Sequence, residues 1–168
     1  MSSGETIEIT LTDPQAAILN SNADRNLLMM GQGGGKTNTM GNLSYLLSQN
    51  VPDVMGLIAA NTYRQLTNST LKEIFKQWAS LGFTKYTEAN PSGSYVIDRT
   101  PPKTFTPHKY IFRDNDSKIY CKNGAVIVVA SLDNYMALEG MELGWALLDE
   151  TEATKEEAVT EGITARLR

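Results

Sequence analysis

The segment Gly31-Gln-Gly-Gly-Gly-Lys-Thr37 constrains this chain more than any other. Gly33, Gly34 and Gly35 carry no Cβ, so their backbone N–H groups can close around an anion. Lys36 and Thr37 follow at once. Beyond them Met40, Leu43, Leu46 and Leu47 recur at three- and four-residue intervals, which predicts a helix with these residues on its apolar side. The helix would start near Lys36, aim its positive dipole end at the anion, and stop at Asn50 and Pro52. Ahead of the glycines, "RNLLMM" predicts a short buried parallel strand. Strand, glycine loop and helix are the context in which a phosphate-binding loop works. Backbone from Gly31 and Gln32 to Gly35 would hold phosphates, Lys36 would reach the β- and γ-phosphates, and the Thr37 hydroxyl would bind Mg²⁺. Met30 stands where such loops usually begin with glycine; Gly31 beside it can supply the turn.

A loop of this kind needs a carboxylate partner, and "GWALLDETE" offers one. Trp145 to Leu148 predict a buried strand, with Asp149 as the metal-side carboxylate and Glu150 placed to orient and deprotonate an attacking water. Neighbouring acids repel, and a cation would relieve them. The competing reading is an acidic helix start, since Asp149, Glu150 and Glu152 also suit a helix dipole. The upstream loop favours hydrolysis. The Asp-Glu ending and the lack of an Asn/Thr-Lys-x-Asp guanine-reading motif favour ATP over GTP.

The remaining elements predict an α/β fold of the P-loop NTPase type, with a mostly parallel sheet flanked by helices and a β-hairpin insertion. Residues 1–10 read as a flexible N-terminus and 11–168 as one domain. "LTDPQAAILNS" predicts a helix capped by Thr12 or Asp13, with Ala17 and Ile18 on its apolar side. "VMGLIAANT" predicts a buried strand. "YRQLTNSTLKEIFKQWASLG" predicts a helix burying Leu71, Ile74, Phe75 and Trp78 and ending at Gly82. "YVID", "KYIFRD", "SKIYC" and "AVIVVAS" predict short strands, with an Asn123-Gly124 hairpin turn between the last two, because both residues tolerate positive φ. "LDNYMALEGMEL" reads as a short helix or loop, and "TKEEAVTEGITARLR" as a helix running to the end of the chain. A domain that stops on a helix with no further strand predicts a piece of a longer protein.

Composition excludes some classes. The 168 residues are 41% hydrophobic and 20% charged, values of a folded domain with a core rather than a disordered chain. The net charge of −4 argues against coating nucleic acid by bulk charge. A single cysteine, Cys121, excludes an intramolecular disulfide and reads as a small apolar filler in a strand. With no signal-peptide pattern at the start, it predicts a cytoplasmic setting. No apolar run approaches the roughly 18–20 residues of a membrane span. The lone His108 reads as a loop residue, with too few companions for a zinc site.

Taken in order, these segments make the chain from about Leu11 onward resemble the ATPase domain of the large terminase subunit of tailed phages. The resemblance rests on "LTDPQAAIL", "MGQGGGKT", "NTYRQLTNSTLKEI", "NGAVIVVASLDNYMALEGMELGWALLDETE" and "ITARLR". It implies that Gln15 contacts adenine, that the loop binds ATP and Mg²⁺, and that Asp149 and Glu150 serve hydrolysis. It also implies double-stranded DNA, a portal protein and a small terminase subunit as partners. The setting would be a homo-oligomeric ring in the host-cell cytoplasm, at the procapsid portal, with this fragment alone a monomer. Gln32 stands where the family commonly carries arginine, so an arginine finger must come from elsewhere; Arg64, Arg166 and Arg168 are the candidates. The family's coupling motif and C-terminal nuclease are missing, so DNA cleavage is not expected. Helicase-like P-loop ATPases share the Gln, loop and Asp-Glu logic and are the rival, as is a nucleotide-binding module whose role is assembly.

Overall fold

A computed structural model of the chain describes residues 9–30, 33–110 and 117–168. Among the described residues, five strands form one sheet in the order β2-β3-β4-β1-β5. They are β1 (Met55–Ala60), β2 (Tyr95–Ile97), β3 (Lys118–Cys121), β4 (Val126–Ser131) and β5 (Leu143–Asp149). β1 lies between β4 and β5 and runs parallel to both, while β2 and β3 extend the sheet antiparallel beyond β4. Every residue of β1 is buried, as a parallel strand covered on both faces requires. Ile58 points into one core cluster with Met40, Trp78, Ile127 and Trp145. Its neighbour Leu57 points the other way, toward Val128, Leu132, Leu138 and Leu143, following the alternation of a strand. Gly56 pairs with Trp145 across the β1–β5 ladder. A Cβ there would lie 2.0 Å from Trp145 Cζ2, so the indole occupies the space of the side chain that Gly56 lacks.

The expected hairpin is present as β3 and β4, but β4 is an inner strand of the main sheet rather than part of a separate insertion. Its turn falls at Asn123-Gly124, as expected. Of the two turn residues only Gly124 has positive φ, at 99°, and the Cys121 N–H donates to the Ala125 carbonyl. The loop is therefore the three-residue form closed by a left-handed glycine. The strand expected in "KYIFRD" falls mainly on residues 111–116, outside the described residues.

Helix α1 (Asp13–Leu19) starts at Thr12, where the Thr12 N–H donates to Gln15 Oε1 at 2.9 Å. Its buried residue is Gln15; Ala17 is exposed. Helix α2 (Lys36–Asn50) has the expected bounds but a different inner face: Thr39, Met40, Gly41, Asn42, Ser44 and Ser48 are buried, and Leu43, Leu46 and Leu47 only half-buried. The reason is its partner. After β1 come α3 (Tyr63–Gln65), a π turn (Leu66–Thr70) and α4 (Leu71–Ser80), and α4 lies against α2. Trp78 Nε1 donates to the Gly41 carbonyl and to Ser44 Oγ, both at 3.1 Å, and Gln77 Nε2 donates to Asn42 Oδ1 at 2.8 Å. Asn42 and Ser44 can be buried here because hydrogen bonds reach them across the interface, while Thr39 and Ser48 are satisfied by the Gly35 and Tyr45 carbonyls. The α4 face agrees with expectation, with Leu71, Ile74 and Trp78 buried and Phe75 half-buried against the same core.

Two expected elements do not form. "RNLLMM" is no strand: Leu27 and Met29 are 77% and 83% exposed. An apolar run becomes a strand only by pairing, and among the described residues β5 pairs with β1 and, at its start, with Leu167 alone. Beyond β5 the helix α5 covers only Glu156–Thr160. The chain turns at Gly162, where a Cβ would lie 2.9 Å from Tyr135 Cβ. It then makes one 3₁₀ turn (Thr164–Arg166) and ends with Leu167 bridged to Leu143. No helix of the described residues is long and apolar enough to cross a membrane.

Candidate nucleotide site

The parallel core brings the predicted residues to one edge of the sheet. β1 and β5 run together, with Ala60 opposite Asp149 at their ends. Helix α2 ends at Asn50, and a turn at 51–54 leads into the start of β1. Fifteen helical residues span about 22 Å, so the first turn of α2 lies at the edge where β1 and β5 finish.

Gly35 is the N-cap of α2, in the left-handed conformation with φ 82°. Its carbonyl gathers three donors: the Thr39 N–H at 2.9 Å, Thr39 Oγ1 at 3.0 Å and Gln15 Nε2 at 3.3 Å. A Cβ at Gly35 would meet Gln15 Nε2 at 2.8 Å, so both the backbone angle and the neighbour require glycine. Gln15 thus uses its amide to join the α1 cap to the glycine loop. Lys36 and Thr37 are half-buried in the first turn of α2 and Gly33 is exposed. Gly31 and Gln32 lie outside the described residues.

Across the edge, Asp149 is 8% exposed and its Oδ2 accepts a hydrogen bond from Thr70 Oγ1 at 2.7 Å. Glu150 is exposed and left-handed, with φ 51°, a conformation costing a non-glycine residue about 1–2 kcal/mol. Its Oε2 accepts from Gln65 Nε2 at 2.7 Å. Gln65 is itself held, its Oε1 accepting from the Thr62 N–H at 3.2 Å and from Thr62 Oγ1 at 3.1 Å. Asn61, at the end of β1, ties the same edge together, accepting the Asp133 N–H on its carbonyl and Thr154 Oγ1 on its side chain. Gln65 and Thr70 are not among the site residues expected from sequence. The Thr62-x-x-Gln65 spacing is a capping-box pattern and could have flagged Gln65; nothing in "LTNST" announces Thr70.

The three arginine candidates separate. Arg64 is exposed, one residue from Gln65. Arg166 donates through Nε to the Leu138 carbonyl at 2.8 Å and through Nη1 to the Glu161 carbonyl. Arg168 pairs with Glu142 at 2.9 Å, and its N–H donates to the Leu143 carbonyl. Leu143 opens β5 and Asp149 closes it, about 20 Å apart at the rise of a strand. A concavity of about 330 Å³ lined by Tyr45, Phe83, Lys122 and Asn123 lies apart from this edge, beside the C-terminal ends of α2 and α4.

The backbone as a whole superimposes on solved structures of the Thermus phage P74-26 large terminase ATPase domain. The match has a TM-score of 0.61 and 17% identity over 94% of this chain and 60% of that one. An arginine-to-alanine mutant of the same domain gives 0.58, 17%, 94% and 62%. The fold is that of a large-terminase ATPase domain. No family model matches the chain, and no curated protein matches it. The chain spans about three fifths of the terminase chains it resembles. The terminase-type fold accounts for the parallel core and the flanking helices.

Proposed function

We propose that the chain is the ATPase motor domain of a viral terminase large subunit, hydrolysing ATP to drive double-stranded DNA into a procapsid. One observation carries the reading: on a terminase-type fold, the Gly33–Thr37 loop and the Asp149-Glu150 pair lie on the same edge of the sheet. The N–H groups opening α2 bind phosphate oxygens with the helix dipole behind them, and Lys36 neutralises the β- and γ-phosphates. Gln15, anchored to Gly35, would contact adenine. Thr37 Oγ1 and the Asp149 carboxylate form a hard, all-oxygen donor set of the kind Mg²⁺ takes together with phosphates. Mg²⁺ bound there would neutralise charge on the transferred phosphoryl group. Glu150 orients a water in line with the γ-phosphate and takes its proton. Arg64 is the favoured arginine finger in cis. Arg166 and Arg168, tied near the other end of β5, would serve only a neighbouring subunit in a ring. The portal protein and small terminase subunit are the expected partners, in the host-cell cytoplasm.

The test uses fluorescent ATP binding and single-turnover hydrolysis. Lys36→Ala is expected to lose ATP binding. Glu150→Gln is expected to keep binding and to lose hydrolysis by about 100-fold or more. Normal hydrolysis in Glu150→Gln refutes the assignment of the base.

A further inference from the structure

The two acids at the end of β5 are both held by one short segment, residues 62–70, and by an unusual piece of backbone within it. Thr70 grips Asp149 and Gln65 grips Glu150, each at 2.7 Å. Gln65 and Thr70 are five residues apart. On a regular α-helix that spacing turns side chains about 140° away from each other, because each residue advances about 100°. Here the Leu71 N–H donates to the Leu66 carbonyl, five residues back. A π turn of this kind widens the helix, so that residues five apart come round much closer to the same side. It therefore puts Gln65 and Thr70 on one side, facing the end of β5. It brings the next pair toward one side as well, and Leu66 and Leu71 both enter the core. The buried pair fixes the turn, and the polar pair is presented by it.

The two contacts differ in kind. Thr70 is 2% exposed, so its hydroxyl satisfies a carboxylate oxygen that burial would otherwise leave costly. Gln65 is fixed first by Thr62 and only then reaches Glu150, so its amide is a pre-aimed donor. A pre-aimed donor counters the freedom of an exposed, left-handed Glu150, which nothing else among the described contacts holds.

We propose that Gln65 and Thr70, aligned by the π turn, are the positioning residues of the acid pair: Gln65 sets where the Glu150 carboxylate meets water, and Thr70 sets the face Asp149 turns to the metal. This rests on the hydrolytic reading above. Because Gln65 and Thr70 are engaged with the two carboxylates, both act on the rate and on the Mg²⁺ requirement rather than on ATP affinity.

The experiment compares the parent chain with Gln65→Met, Thr70→Val, Thr70→Ser, Glu150→Gln and the Gln65→Met/Glu150→Gln double variant. ATP affinity, single-turnover rate and Mg²⁺ dependence are measured, with folding checked by circular dichroism. Displacing a catalytic group by about 1 Å costs on the order of 100-fold, so Gln65→Met should slow turnover by about tenfold to 100-fold. Its ATP affinity should stay within about twofold. Thr70→Val should need more Mg²⁺ for half-maximal rate, and Thr70→Ser, which keeps the hydroxyl, should restore the parent value. Gln65→Met should cost nothing further once Glu150 is Gln, because the two act as a unit. Parent-like rates and Mg²⁺ dependence in Gln65→Met and Thr70→Val, with Glu150→Gln inactive, overturn the positioning role alone. So do additive losses in the double variant. A parent chain that binds no ATP, or an active Glu150→Gln, overturns the hydrolytic reading and this proposal with it.

Discussion

The two halves of the candidate site are built in opposite ways. The acid half is braced: Asp149 and Glu150 end a strand whose neighbour is wholly buried, and each carboxylate accepts a side-chain hydrogen bond from one segment. Among the described residues, the loop half is gathered on a single atom. Three donors converge on the Gly35 carbonyl, and the residues ahead of the loop, Leu27 and Met29, are exposed. The difference teaches which half needs its ligand. Catalytic carboxylates must be aimed before substrate arrives, because their geometry sets the rate. A phosphate loop is a set of N–H donors, and an anion supplies their acceptors.

The largest perturbation should erase the contrast. Trp78 serves both halves: its helix carries the 62–70 segment, and its Nε1 binds Gly41 and Ser44 of α2. Trp78→Ala should cost about 3–5 kcal/mol in denaturant unfolding, with protection from hydrogen exchange lost around both Gly35 and Asp149. Loss confined to one half would show that α4 does not join them.

A smaller change should sharpen it. Gly35→Ala forces a left-handed alanine, at about 1–2 kcal/mol, and drives its methyl onto Gln15. Hydrogen exchange should rise over α1 and the first turn of α2 and stay unchanged over β5 and α4. Equal loosening of β5 would mean that the halves are one cooperative unit.

The smallest effect should touch neither half. His108 packs edge-on to Tyr120, and its Nε2 donates to the Cys121 carbonyl at 2.9 Å. Burial holds its pKa below the ordinary 6.5, and the Cys121 carbonyl partly offsets this. The unfolded chain therefore takes up this proton first. Stability is full above about pH 6.5 and falls as pH drops from there toward the lowered folded value. Asp98 works with the opposite sign, because burial raises its pKa above 3.8: its contribution is present below about pH 3.8 and is lost as pH rises through the raised value. In an Asp98→Asn background, His108→Gln should flatten the loss between about pH 7 and pH 5. An unchanged slope in urea titrations assigns that loss to other groups.

Much of this is legible in the chain itself, where local chemistry and final environment agree. The bounds of α2, the buried run of β1 and the strand ending in Asp149 follow from residues whose own preferences match their neighbours. Legibility fails where a distant partner decides. The inner face of α2 is polar because Trp78 and Gln77 arrive with hydrogen bonds, and no periodicity within α2 announces them. "RNLLMM" has a strand's composition, and composition cannot provide a ladder. The π turn is hidden for the same reason: "LTNST" reads as an ordinary helical stretch until Leu66 and Leu71 are both drawn into one core. Cys121, expected as a small apolar filler in a strand, is that: fully buried in β3, with burial pushing its thiol up to about 12. It should resist alkylation in the folded chain.

The Gly56–Trp145 contact reaches further than its place in the sheet. Were β5 to slide along β1 by a residue pair, the indole would leave the gap at Gly56 and collide with a neighbour that has a side chain. The ladder is thus indexed, like a key with one notch. The same ladder sets Asp149 opposite Ala60, so the height at which the acids stand above the sheet is registered by a glycine four residues down the neighbouring strand.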